Sequence, residues 1–275
     1  MLPIHVALVS QSEHIEASDV ARVAAALQKQ ATRDFGPVWG VEATVDAFPE
    51  AGQVPIDYWP ILVIDNLEGG GGVHLDRNRK PYALVDATAS WSLTASHEMC
   101  EMLADPFGNR RVAGQSPKED QGRVEFLVEV CDPIEASDFA YTINGLLVSD
   151  FITPRFYDPQ AARGVLYDFT GAITEPRLVL EGGYISWHDP VSNHLWQLLW
   201  LNGKDFKDLG PGDFSGHASI REWVDAQTPH PGIDTGLAED DPVLARGRAA
   251  VEEAQRANEA RAATLREDVT AIMSS

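Results

Sequence analysis

The chain predicts an α+β fold on a mixed twisted sheet, followed by a β-rich second half and a long C-terminal helix. Three observations carry this. Compact apolar runs of strand length occupy Pro3 to Val9 and Trp59 to Ile64, helical spacing governs Asp19 to Phe35 and Trp91 to Ala104, and Ala, Glu and Arg dominate from Asp241 to Met273.

Pro3 to Val9 reads as a buried strand, because an unbroken apolar run of that length suits a strand covered on both faces. Val20, Val23, Ala24, Leu27 and Ala31 then recur at helical spacing behind an acidic start. Val41 to Phe48 alternates as a second strand, and Trp59 to Ile64 forms a third, central one. Gly69 to Gly72 breaks the chain. Val73 to Asp76 and Tyr82 to Val85 follow as the arms of a hairpin around Arg77-Asn78-Arg79-Lys80-Pro81. A helix comes next, with Thr88 or Ser90 as its N-cap and Asp105-Pro106 as its stop.

The second half is less regular. Val124 to Val130 reads as a strand, Tyr141 to Phe151 as a pair of short extended pieces, and Arg177 to Trp187 and Leu195 to Leu201 as two more strands. Gly, Pro and Asp make residues 202–236 mostly loop around a short helix near Ala218 to Ala226. Leu244, Val251, Leu265 and Ile272 mark a heptad-like seam on the last helix, which docks on its own domain or on a second copy. The expected division is a domain over 1–202 and a loop-rich segment with the C-terminal helix over 203–275.

Composition narrows the function. With 21 basic and 42 acidic residues the net charge is −21, which opposes binding to nucleic acid or to anionic membrane. No apolar run approaches the roughly 20 residues of a membrane span. The first residues lack the basic start of an export signal, so a cytoplasmic location is expected. Two cysteines, Cys100 and Cys131, exclude a disulfide scaffold. Buried thiols, one disulfide and a thiolate ligand remain open as readings, with buried thiols favoured because cysteine packs as a small apolar residue.

The chemistry concentrates in Ser96-His97-Glu98-Met99-Cys100-Glu101, with Asp105-Pro106 behind it. On a helix, Trp91, Ala95, Met99, Met102 and Leu103 fall on one arc, and Thr94, His97, Glu98, Glu101 and Asp105 on another. His97 and Glu101, four apart, can reach one ion, while Glu98 between them can act on a water beside it. Glutamate stands where H-E-x-x-H has its second histidine.

The order of elements, with an edge hairpin before the helix of His97-Glu98-x-x-Glu101, resembles the zincin architecture of metallopeptidases over about residues 3 to 106. Ser96-His97-Glu98-x-x-Glu101-x-x-x-Asp105-Pro106, followed by Glu129-Val130-Cys131-Asp132, is similar to a poorly characterised zincin-like group with H-E-x-x-E and a downstream Glu-x-x-Asp segment. Plant phosphate-induced proteins carry a related pattern. The resemblance implies a motif helix packed under a twisted sheet whose edge strand borders the substrate cleft. It also implies that His97, Glu101 and Glu129 are ligands to a divalent metal ion, zinc being the first choice, and that Glu98 is the general base. Asp132 is the alternative third ligand or a partner that orients His97.

One imidazole with two carboxylates cancels the charge of a divalent ion and weakens it as a Lewis acid. Oxygen-rich ligation also suits Mn²⁺, Fe²⁺ or Ca²⁺. The expected function is a zincin-like, metal-dependent hydrolase, a peptidase with a peptide or protein substrate. The alternative is a noncatalytic metal-binding or interaction protein on the same fold.

Weaker signals point elsewhere. Gly69 to Gly72 lacks the Lys-Ser/Thr ending of a phosphate loop. Ser186, His188 and Asp189 do not make a triad by adjacency, since neighbours on a strand face opposite ways. His188, His194 and Tyr157 are secondary candidates for groups near the cleft, and Trp187, Trp196 and Trp200 for core.

Overall fold

The computed structural model describes residues 3–67, 71–214, 216–217 and 219–227, with helical positions at 256–257, 259–260, 262–264 and 266–267. Among the described residues it is a mixed α+β structure with two five-stranded sheets and one two-stranded ribbon.

The first sheet has the order β2-β1-β3-β5-β4. Its strands are β1 (Ile4–Ser10), β2 (Ala43–Phe48), β3 (Tyr58–Ile64), β4 (Gly72–Arg77) and β5 (Lys80–Asp86). β1 runs parallel to β2 and β3, β3 runs parallel to β5, and only the edge strand β4 is antiparallel. The apolar run of β1 divides between two layers, Val6 and Leu8 entering the main core while Ala7 and Val9 face a second cluster. β3 and β5 divide the same way, with Ile61, Val63, Ala83 and Val85 on one side and Leu62, Ile64 and Leu84 on the other. A strand covered on both faces needs apolar residues at every position, which is why these runs do not alternate with polar ones.

Two helices cover the main-core face. α1 (Ala17–Lys29) buries Val20, Val23, Ala24 and Leu27, and continues through a π-helical turn, Gln30–Phe35, into α2 (Gly36–Trp39). The π-turn corrects the expected single helix to Phe35, and it brings polar Gln30, fully buried, toward α3 (Trp91–Ala104). Gln30 donates to the Ser149 carbonyl at 2.9 Å and accepts from the Ser96 hydroxyl at 2.9 Å. Ser96 accepts in turn from the Ser149 N–H at 2.7 Å, so this buried polar group is fully partnered.

The second sheet is antiparallel, with the order β12-β11-β10-β7-β6. It comprises β6 (Arg111–Gln115), β7 (Arg123–Leu127), β10 (Tyr184–Asp189), β11 (His194–Trp200) and β12 (Lys204–Pro211), while β8 (Tyr141–Ile143) and β9 (Leu146–Val148) form the ribbon. Phe126, Ile185, Trp187 and Leu198 of this sheet belong to the same main core as Ala95, Met99 and Met102 of α3.

Three expectations change here. The strand expected over Val124 to Val130 ends at Leu127, so Glu129 is not on a strand. Residues 177–183 precede β10 rather than belonging to it. β12, expected as loop, pairs along β11 as an edge strand; its sequence is mostly polar, with Phe206 against Trp187 and Leu209 on the Leu127 and Leu195 cluster as apolar contacts beside the backbone pairing. The short helix is α4 (Ile220–Gln227). Most of the expected C-terminal helix, including Leu244, Val251, Leu265 and Ile272 of its seam, lies outside the described residues. No helix among the described residues is long and apolar enough to cross a membrane.

Candidate metal centre

α3 carries the motif into the interior. Ala95, Met99, Met102 and Leu103 anchor it to the main core, and Glu98 and Glu101 are 2% and 0% exposed. The polar stripe is therefore neither a solvated surface nor an open cleft. The Ser90 carbonyl, not its hydroxyl, accepts from Leu93 and Thr94 at the helix start, so side-chain capping is absent there. At the other end the Asp105 N–H donates to the Glu101 carbonyl at 2.7 Å, and its carboxylate accepts from the Arg110 N–H at 2.6 Å. The edge strand presses on α3 from one side: a Cβ on Gly72 would stand 2.7 Å from both Glu98 Oε1 and Thr94 Cγ2.

Four segments meet at the cluster. His97 Nε2 lies 3.4 Å from Glu101 Oε1 and 3.2 Å from Asp132 Oδ1. The Cys131 N–H donates to Glu101 Oε1 at 3.2 Å, which fixes the segment after β7 against the helix. Asp132 opens a short 3₁₀ turn, Asp132–Ile134, and Glu135 just beyond it joins His97 and Asp132 as a group of possible ligands within 4.8 Å of one another. Glu101, Glu129 and Asp132 form a second such group, and His74, Glu98 and Glu101 a third. Of the expected third ligands, Asp132 is the one beside His97; Glu129 is buried and pairs with Arg221.

Two partners were not legible beforehand. His74 on β4 is 2% exposed, and its Nδ1 lies 3.5 Å from both Glu98 Oε2 and Glu101 Oε2. Alternation in the hairpin arm is the signal that could have found it, since Val73 and Leu75 pack on the opposite side of the sheet. Arg221 arrives on α4, 120 residues after Glu101, and donates from Nη1 to Glu101 Oε2 at 2.9 Å. Ile220, Trp223 and Val224 pack with Leu127 and Leu195, and Asp225 accepts from Arg221 Nε at 3.0 Å. The α3 stop seats this helix, because Asn109 accepts from the Ile220 N–H and the Gly108 carbonyl from the Arg221 N–H, each at 3.0 Å. Helical spacing of Ile220, Trp223 and Val224 reveals the helix but not where its arginine points.

The electrostatics are strongly coupled. Burial opposes charge on His97, but the Glu101 carboxylate, the Cys131 thiol and Asp132 outweigh it and raise its pKa well above 6.5. Burial likewise works against His74, yet Glu101 and Glu98 hold it at about 9. Glu101 is pulled well below the ordinary carboxylate range: burial would raise it, and His97, Arg221 and His74 overcome that. Asp132 goes the other way, pushed up by burial and by the Glu101 charge against the pull of His97. Burial raises Glu135 to about 7. Both cysteines are buried free thiols, and burial with the neighbouring Cys100 thiol raises Cys131.

The donor set fits a divalent ion. Tetrahedral ligands at 2.0–2.2 Å from a metal stand roughly 3.3–3.6 Å from one another, close to the His97 separations from Glu101 and Asp132. Glu98 Oε2, Glu129 Oε1 and both Asp132 oxygens are also buried without a well-formed hydrogen bond, and buried acceptors of that kind need a partner. His97 and Glu135 are the partly exposed members, so solvent reaches the cluster from their side.

Of the secondary candidates the two histidines lie elsewhere, while burial raises the Tyr157 pKa and the nearby Glu101 and Asp132 charges add to it. His188 contacts Glu125 and Asn193, His194 contacts Asp208, and the buried Tyr157 hydroxyl donates to the Leu127 carbonyl at 3.4 Å. Trp187 is fully buried core. No family model, no curated protein and no solved structure matches this chain.

Proposed function

We propose that this chain is a metal-dependent hydrolase of zincin-like design, acting on peptides, with His97, Glu101 and Asp132 as the ligands. The carrying observation is His97 Nε2, which lies 3.4 Å from Glu101 Oε1 on its own helix and 3.2 Å from Asp132 Oδ1 of a remote segment, each separation suited to a pair of ligands on one ion. The motif helix under a mixed sheet with a single antiparallel edge strand supports the zincin-like reading. Zinc remains the first choice for an imidazole-containing set, with Mn²⁺ or Fe²⁺ next because two carboxylates accompany the one imidazole.

A divalent ion bound here supplies Lewis acidity and makes an adjacent water more acidic than bulk water. Glu98, buried on α3 and next to His97 in the chain, would take that water's proton on its carboxylate. His74, 3.5 Å away on β4, orients the Glu98 carboxylate. β4 ends the first sheet, and its edge beside α3 offers an extended peptide a strand to pair with.

The alternative, a noncatalytic protein in which the cluster serves structure or partner binding, draws on Arg221, which already neutralises part of the carboxylate charge. Metal content and peptide-library cleavage, measured side by side on the parent and Glu98→Gln, decide between them. The enzyme reading expects both proteins to retain an ion and only the parent to cleave. Equal cleavage by both removes Glu98 as the base, and a parent that retains no ion and cleaves nothing leaves the structural reading.

A further inference from the structure

Glu101 and Asp132 each divide their two carboxylate oxygens between the same two neighbours. Glu101 turns Oε1 to His97 Nε2 at 3.4 Å and Oε2 to Arg221 Nη1 at 2.9 Å. Asp132 turns Oδ1 to His97 Nε2 at 3.2 Å and Oδ2 to Arg221 Nη1 at 3.8 Å. Glu129 closes the Arg221 side with its own ion pair, and Asp225 holds Nε at 3.0 Å. Carboxylates shared between two adjacent cationic positions are the ligand pattern of a two-ion centre, whose ions stand roughly 3.5–4 Å apart.

We infer that the Arg221 guanidinium occupies the second cation position of this carboxylate-bridged pair, so that the pair takes a single exchangeable divalent ion, on the His97 side. The inference rests on reading the cluster as a divalent-ion site. A guanidinium suits the position because it does not lose its proton and its planar fork matches carboxylates. Glu129 Oε1 nevertheless stays buried without a hydrogen-bond partner, in a residue 5% exposed. The seat thus contains a donor atom that a spherical ion can use and the guanidinium does not. With Arg221 removed, Glu101, Glu129 and Asp132 form an all-oxygen seat with Asp225 beside it, a set suited to Mn²⁺.

The test is Mn²⁺ stoichiometry by elemental analysis, with electron paramagnetic resonance, on the parent, Arg221→Lys and Arg221→Ala after dialysis against Mn²⁺. The parent and the lysine variant are expected to hold one ion per chain with the spectrum of an isolated Mn²⁺. The alanine variant is expected to hold two, with an exchange-coupled spectrum and a melting temperature that rises with Mn²⁺ concentration. Two ions in the parent overturn the inference without needing any variant to fold. One ion in a folded alanine variant also overturns it, while leaving the metal site itself standing. An alanine variant that binds none while the parent binds one reduces Arg221 to a residue that positions the carboxylates. If no protein binds Mn²⁺, and Zn²⁺ is not retained either, the metal-site reading falls together with the inference.

Discussion

His97 Nε2 stands 3.2 Å from Asp132 Oδ1, and this contact ties the motif helix to the segment after β7. It makes Asp132, rather than Glu129, the acidic residue nearest the imidazole. Glu129, three residues earlier, meets the α4 arginine instead. The order of the two carboxylates along the chain therefore says nothing about which one faces the histidine.

Asp132→Ala is expected to lower divalent-ion affinity more than Glu129→Ala does. Losing a ligand beside His97 should cost at least the roughly 10–100-fold that loss of an outer partner costs. Equilibrium dialysis against Zn²⁺ and Mn²⁺ measures both variants. Equal losses, or a larger loss in Glu129→Ala, would return Glu129 to the ligand set.

Gly183→Ala should disturb the same site from behind. A Cβ at this position would stand 2.6 Å from the Asp132 carbonyl oxygen and 2.7 Å from the Pro133 backbone, where nothing flexible can yield. Overpacking of this kind costs about 1–3 kcal/mol, read as a fall in the melting temperature. The variant should also bind ions more weakly, because relief of the clash moves Asp132 away from His97. Parent-like stability would show that the 132–133 backbone shifts at little expense.

Asp150 carries a pH dependence of its own, set by its burial and by its pairing with Thr170 and Asp168. Burial raises its pKa from 3.8 to about 7; Thr170 opposes the rise and the Asp168 carboxylate reinforces it. The folded chain therefore keeps a proton that the unfolded chain releases. The stabilisation is complete below about pH 4 and is lost as the pH rises through about 7, at up to about 1.4 kcal/mol per pH unit. Asp150→Asn, which mimics the protonated form, should flatten that slope in denaturant titrations between pH 4.5 and 7. An unchanged slope would assign the proton to another group.

Much of the layout was legible because local pattern and fold coincide in the first half of the chain. β1, β3 and the hairpin of β4 and β5 are apolar runs or arms bounded by turn residues, and α3 has an apolar arc that specifies the face it turns to the main core, though not that its polar face is buried as well. β12 was not legible, since an edge strand of mostly polar sequence shows no continuous apolar pattern. The π-turn at Gln30–Phe35 was not legible either, because its buried glutamine is accommodated by Ser96 and Ser149, which come from other segments.

By itself the sequence determined the helix that presents His97, Glu98 and Glu101, because their spacing is a property of one helix. It also determined that an acidic segment at 129–132 was a candidate to complete the site. Only the tertiary structure decided that Asp132 faces His97, that His74 reaches Glu98 from the edge strand, and that Arg221 enters the carboxylates from α4. The reason is physical. Periodicity sets the face a residue occupies within its own element, whereas the partner of a buried charge depends on how separate elements pack, and any of several carboxylates can satisfy the same cation.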